Sequence, residues 1–313
     1  MGGHMRNSIS LALMALAVAL PATADNYYLT ISGLGGEDVY AQRFEGLATD
    51  IDTLLKKEPN ATVITLSGNE ATKDNIEAKL GEIAEKVGPE DTFILLLIGH
   101  GSYDMLDYKF NIPGHDITAT ELNSQLNRIK GKQVIVNATS ASGGALPVLQ
   151  AKNRVIVTAT KSGTEKNATV FGRYWVEAFR DAAADADRDE SLTALEAFNY
   201  AQRKVTEYYE TQKRLATEHA LIEDTGEGEG VRDASPDNNE GLMARRTTVL
   251  HLGSVADIIN DPVKQELLKQ KDDIQTAIDE LQYRKAAFPE RQYQQQMRQL
   301  LLELARIQAE LDK

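Results

Sequence analysis

The chain has 313 residues, 42% of them hydrophobic, which is enough for one sizeable core and an appendage. Its 34 basic and 47 acidic residues leave a net charge of -13, which argues against nucleic acid or an anionic membrane surface as a partner. There is no cysteine, so disulfides and thiolate chemistry are excluded.

At the N-terminus, Met1-Gly-Gly-His4 ahead of Met5 reads as a cloning scar, and His4 is given no function. Arg6, an apolar stretch over residues 9–20 and the small-x-small string Ala22-Thr-Ala24 make an export signal with cleavage before Asp25. The stretch is too short for a comfortable membrane span, and no cysteine follows to carry a lipid. Residues 1–24 are therefore expected to be removed. The mature chain is expected in a bacterial periplasm or outside the cell, with no membrane attachment.

From Asp25 on, strand and helix patterns alternate. Residues 27–32 read as a strand, followed by the loop Gly33-Leu-Gly-Gly36. Residues 39–57 have helical spacing, with Phe44, Leu47, Ile51 and Leu54 on one face. A second strand at 62–66 precedes a helix at 72–87, which Gly88-Pro89 ends. Residues 93–98 form a third strand, and Thr118 opens a helix carrying Leu122, Leu126 and Ile129. Strands at 134–137 and 154–160 follow, then helices at 171–184 and 192–217. A Gly-rich acidic loop at 223–241 leads to a last strand at 247–252. This alternation predicts a mostly parallel sheet with helices on both faces. Right-handed crossovers then set the ends of the third and fourth strands side by side.

The C-terminal part has a different character. Tyr293, Met297, Leu300, Leu304, Ile307 and Leu311 step by four and three, as in a heptad seam. Leu267, Ile274, Ile278 and Leu281 form a similar seam upstream, and Phe288-Pro289 interrupts the two. The expectation is a helical hairpin that either folds back on the globular domain or pairs with a second copy.

Two strand ends carry reactive side chains. The first string is Thr92-Phe-Ile-Leu-Leu-Leu-Ile-Gly-His100-Gly-Ser, the second Gln133-Val-Ile-Val-Asn-Ala-Thr-Ser140-Ala-Ser-Gly-Gly144. Open α/β sheets build their sites at the carboxyl ends of neighbouring parallel strands. His100 could act as a general base for the Ser140 hydroxyl. Gly101 could offer its N–H to a developing oxyanion. The alternative is that both are ordinary polar strand-end residues. His115 reads as a loop residue, and His219 and His251 lack companions at metal-ligand spacing.

With this strand order, the strings Gly99-His100-Gly101-Ser102 and Asn137-Ala138-Thr139-Ser140-Ala141-Ser142-Gly143 resemble the caspase-like fold cysteine peptidases, and most of all the legumain-like branch. That family ends one strand in His-Gly and the next in a string of the type Glu-Ala-Cys-x-Ser-Gly. The strand and loop from Val155 to Glu165 are similar to its substrate-pocket segment. The resemblance covers residues 26–253. It implies a caspase-like three-layer sandwich with a mostly parallel six-stranded sheet, with His100 as base and Gly101 as oxyanion donor. Ser140 stands where the family has its nucleophilic cysteine, and Asn137 replaces the flanking acid. A serine hydroxyl is a far weaker acid than a thiol and needs a well-aligned base. Three readings follow, in this order: a natural pseudo-peptidase, a cysteine peptidase inactivated by a deliberate Cys-to-Ser exchange, and a serine hydrolase using the Ser140–His100 dyad.

A second signal is independent of these. Asp185, Asp187, Asp189, Ser191, Thr193 and Glu196 occupy positions one, three, five, seven, nine and twelve of an EF-hand calcium loop, with the apolar Leu192 at position eight. Glu190 stands where that turn favours glycine. A structural calcium is expected there, against the alternative of a solvated acidic linker between two helices.

The sequence thus predicts three segments. Residues 1–24 are scar and export signal, 25–254 a caspase- or legumain-like domain, and 255–313 a coiled-coil-like helical hairpin. The expected function is that of an exported peptidase homologue that binds a peptide or protein segment in its cleft. Assembly into a homo-oligomer through the C-terminal helices is the third class considered.

Overall fold

The computed structural model describes residues 25–58, 61–252 and 262–311. The expected export signal and the expected domain boundary at 254/255 lie outside the described residues. The strands are β1 (Asn26–Ser32), β2 (Ala61–Leu66), β3 (Thr92–Ile98), β4 (Gly101–Tyr103), β5 (Tyr108–Phe110), β6 (Ile117–Thr118), β7 (Lys132–Asn137), β8 (Arg154–Thr158), β9 (Ser191–Thr193), β10 (Leu221–Glu223) and β11 (Thr248–His251). The helices are α1 (Asp38–Leu55), α2 (Lys73–Lys86), α3 (Ala119–Leu126), α4 (Leu146–Leu149), α5 (Phe171–Ala178), α6 (Ala194–Thr211), α7 (Leu242–Arg245), α8 (Pro262–Tyr283) and α9 (Glu290–Leu311).

Six strands form the central sheet in the order β10-β8-β7-β3-β1-β2. All neighbours are parallel except β10, which runs antiparallel to β8. The apolar runs of β3, β7 and β8 are buried on both faces, as a sheet covered by helices requires. Ile94, Val136 and Val157 meet Phe44, Ile51, Trp175 and Phe198 from α1, α5 and α6. Leu95, Ile135 and Ile156 meet Ile76, Leu80, Leu122 and Leu126 from α2 and α3. The result is a three-layer α/β sandwich.

The sixth strand of the sheet corrects the sequence reading. Residues 247–252 do form a strand, but β11 pairs with β9 in a separate two-stranded sheet. The place at the sheet edge goes to the three-residue β10, which is too short to leave a pattern. Three further short strands, β4 to β6, form an antiparallel sheet between β3 and α3. They lie where only a loop was expected. The helix expected at 171–184 stops at Ala178, and the one expected at 192–217 covers 194–211. Thr118 and Thr193 cap α3 and α6, each through a capping box with the glutamate three residues on.

The C-terminal helices form an antiparallel hairpin, with Lys264 Nζ donating to the Leu311 carbonyl at 3.2 Å. Seam residues Ile278, Leu281, Ile307 and Leu311 are buried. The hairpin folds back on the globular part through α8. There Arg246 pairs with Glu280 at 3.2 Å, and Lys271 donates to the Asp189 carbonyl at 2.9 Å. No helix among the described residues is long and apolar enough to cross a membrane.

One buried charge ties β8 to its neighbours. Arg154 is 1% exposed and donates to Gln133 Oε1, Asn123 Oδ1, Asn127 Oδ1 and the Leu149 carbonyl at 2.6–3.0 Å. Burial pushes its guanidinium down to about 10. Arg154→Met should lower unfolding stability by about 3 kcal/mol, because it leaves buried acceptors unpaired. Urea denaturation measures this. A loss under about 1 kcal/mol would show that water replaces the guanidinium without penalty.

Candidate functional site

The parallel pairing of β3 and β7 runs in register up to Leu97 opposite Asn137. Their carboxyl ends are therefore side by side, and His100 and Ser140 stand just beyond them. The two side chains point to different partners. The His100 ring packs edge-on against Tyr40 and Phe44 of α1, with centroids 4.8 and 5.1 Å apart. Burial draws its pKa below the ordinary value, Arg43 adds to this, and a backbone hydrogen bond at Gly35 opposes it. This shift favours the neutral imidazole, the form a general base needs.

Ser140 is 2% exposed. Its hydroxyl accepts from the Gly101 N–H and donates to the Gly101 carbonyl, both at 3.0 Å. The N–H expected to face an oxyanion is engaged with Ser140 itself. No hydrogen bond joins His100 and Ser140 among the described residues. Close packing also explains Gly101, because a Cβ there would come within 2.5 Å of the Ser140 carbonyl and the Tyr108 ring.

The turn after β7 is strongly braced. Tyr108 Oη donates to Asn137 Oδ1 at 3.2 Å and lies 2.6 Å from Thr139 Oγ1. Thr139 Oγ1 in turn reaches Asn137 Oδ1 at 2.8 Å. Ala141 is held in the left-handed region at φ 56°, which is strained for a residue with a Cβ. Its N–H donates to the Glu165 carbonyl at 2.8 Å. Ser142 and Thr160 share a hydroxyl contact at 3.2 Å, which joins this turn to the loop after β8.

Sequence reasoning missed the Glu165–His219 pair. His219 Nδ1 lies 2.5 Å from Glu165 Oε1, and the His219 N–H donates to Oε2 at 3.2 Å. The partners are 54 residues apart, with no local pattern to link them. A cavity of about 300 Å³ lies beside His219, lined also by Tyr209, Arg214, Leu215 and Glu218. Glu218 is buried and accepts from the N–H groups of Val170 and Phe171 at the start of α5. Burial pushes its carboxyl up to about 7. His251 likewise pairs with the buried Glu58. His115 is exposed.

The acidic loop lies apart, between α5 and α6. Carboxylate oxygens of Asp185, Asp187 and Asp189 come within 4.8 Å of one another. Asp185 accepts from the N–H groups of Asp189 and Glu190, and Asp189 from that of Ser191. Ser191 and Thr193 belong to β9, and Leu192 is buried opposite Leu250 of β11. Glu196 accepts from Ala186 N–H at 3.0 Å as well as from its capping partner Thr193. Glu190 takes φ 67°, so the chain makes the left-handed turn without glycine. The Asp187 carboxyl is pushed up to about 7, first by burial and then by Asp189, Glu196 and Asp185. Four of the six positions read from sequence thus place carboxylates in one another's field.

No protein-family model and no curated protein matches the chain. Among solved structures it is similar to a protein of Geobacter sulfurreducens, at 10% identity and a TM-score of 0.45 over 69% of this chain and 96% of that one. It is similar to the Drosophila initiator caspase Dronc, at 12% identity and TM-score 0.45 over 66% and 82% of the two chains. It is also similar to caspase-1 of Spodoptera frugiperda, at 12% identity and TM-score 0.43 over 64% and 87%.

Ser140→Ala should lower stability by about 1–3 kcal/mol, since it leaves both peptide groups of Gly101 without that partner. Chemical denaturation reads the change directly. A loss under about 0.5 kcal/mol would show that Ser140 does not brace the turn.

Proposed function

We propose that this chain is an exported peptidase homologue of the caspase-like, legumain-like kind that binds a peptide or protein segment at its cleft and does not cleave it efficiently. One observation carries this reading. The Ser140 hydroxyl is held by both peptide groups of Gly101, while the His100 ring packs on α1. A serine nucleophile needs a base within hydrogen-bond reach. Here the base faces elsewhere, and the nearest oxyanion donor is already engaged.

The test is hydrolysis of an unfolded-protein or peptide-library substrate by the full chain. We expect no turnover. Turnover that disappears in both His100→Ala and Ser140→Ala would overturn the reading in favour of a serine hydrolase. Cleavage gained by Ser140→Cys would show a cleft lacking only its sulfur, as expected of an inactivated cysteine peptidase.

We also propose that the Asp185–Glu196 loop takes a structural calcium ion outside the cytoplasm. The donor set suits it, because calcium prefers several carboxylate and carbonyl oxygens in a flexible loop. Asp185, Asp187, Asp189 and Glu196 would supply carboxylates, with Ser191 and Thr193 at the two remaining loop positions. The raised Asp187 pKa sets the pH dependence. A carboxyl raised from 3.8 to about 7 in the fold costs nothing below its unfolded value and destabilises as pH climbs through that window. A bound cation removes this penalty. At pH 8, calcium at about 1 mM should raise the melting midpoint above that in chelator. The increment should shrink toward pH 5 and be lost in Glu196→Gln, which keeps the helix cap. An unchanged midpoint would remove the site.

A further inference from the structure

Three buried carboxyl groups meet where β10 ends, and neither the candidate site nor the calcium loop uses them. Glu223, Asp224 and Glu240 are 0%, 6% and 5% exposed. They lie away from His100 and Ser140. β10 runs antiparallel to β8, with Leu221 opposite Thr158 and Glu223 opposite Ile156, so its end points to the amino edge of the sheet.

Each group holds a different piece of the chain. Glu223 Oε1 accepts from the N–H groups of Thr225, Gly226 and Glu227 and from the Thr225 hydroxyl, at 2.5–3.0 Å. Glu223 Oε2 is buried and has no partner among the described residues. Asp224 accepts from Gly241 N–H at 2.7 Å and Ala244 N–H at 2.9 Å, which fixes the start of α7 to the end of β10. Glu240 Oε2 accepts from Asp224 N–H at 2.9 Å, and the side chains of Glu240 and Asp224 also hydrogen-bond each other. Two carboxyl groups form such a bond only when one of them carries a proton. Burial, Asp224 and Glu223 push the Glu240 carboxyl up to about 7.

The groups that act on Glu240 are thus Asp224 and Glu223, both acidic. Lys152 belongs to the turn that packs on Gly226, and the Arg232 carbonyl accepts from Gln202 of α6. Arg245 ends α7, and Arg246 pairs with Glu280 of α8. The segment between Glu223 and Gly241 has left-handed glycine at both ends, Gly226 at φ 79° and Gly241 at φ 92°.

We propose that Glu223, Asp224 and Glu240 form a proton-operated clasp, closed while Glu240 and Asp224 share a proton and opened when that proton leaves. Below about pH 4.5 the Glu240 proton is bound in folded and unfolded chains alike and costs nothing. The cost builds as pH climbs to about 7 and is full above it. Three ionised carboxylates then repel in a site closed to water, and moving Glu240 off Asp224 relieves them. Opening frees the start of α7, and with it the Arg246–Glu280 link to the hairpin.

Hydrogen exchange on the full chain, read by mass spectrometry and corrected for intrinsic rates, tests this at pH 5 and pH 8.5. Protection over residues 225–246 should fall about tenfold or more at the higher pH, while β3 and β7 keep theirs. Glu240→Gln keeps the hydrogen bond to Asp224 without a titrating proton, so it should hold the pH 5 protection at both values. Glu223→Gln removes one repelling charge and should show a smaller fall than the parent. No fall in the parent, or the same fall in the parent and either variant, would overturn the clasp. A fall spread equally over the whole chain would assign the effect to global unfolding and overturn it as well.

Discussion

The candidate site depends on one constraint, the in-register parallel pairing of β3 with β7. It brings Gly101 and Ser140 within hydrogen-bond distance although 39 residues separate them. A hydroxyl can donate and accept at once, so one oxygen satisfies both peptide groups of Gly101. A thiol is a weak donor and a weak acceptor, and would hold this joint less well. Ser140 therefore has a structural role that accounts for its burial without any chemistry.

Around that joint the polar groups are arranged for rigidity. Asn137 Oδ1, Thr139 and Tyr108 form a connected buried set that leaves Asn137 Nδ2 without a partner, and Ser142 with Thr160 ties the turn to the next loop. Buried polar groups must be paired, and a connected set of them fixes one conformation. The left-handed Ala141 persists because these bonds over-determine it. What stays open to solvent lies outside this frame, on the loops that rise from the carboxyl edge.

The acidic loop is the other organised feature. Its flank, β9, pairs with β11, the strand that leads toward the C-terminal helices. Leu252 donates from its N–H to the Glu190 carbonyl at 2.7 Å, and Lys271 of α8 reaches the Asp189 carbonyl. Loop, strand and hairpin are thus one mechanical unit. Carboxylates this close repel, and here they are held together by backbone N–H donors and the nearby ammonium of Lys271.

Much of this was legible in the sequence. The long apolar runs of β1, β3, β7 and β8 show themselves because strands covered on both faces need continuous burial. The spacing of Phe44 and Ile51 marked the helix face that meets the sheet, and the seams of α8 and α9 marked the hairpin. His100 and Ser140 stood out as candidates because strand ends concentrate polar groups, and residues 185–196 because their acidic spacing follows that of a calcium loop. Only the tertiary structure decided the rest. β10 and the β4–β6 sheet are too short for periodicity to register. The pairing of Glu165 with His219 joins residues with no local relation. Which way His100 and Ser140 face follows from packing on α1 and from the hydrogen bonds to the peptide groups of Gly101, and neither is written in a neighbouring residue. Sequence determines which groups reach the strand ends, because burial has a period. Three-dimensional packing decides which partner each group finds, because hydrogen bonds depend on direction and distance.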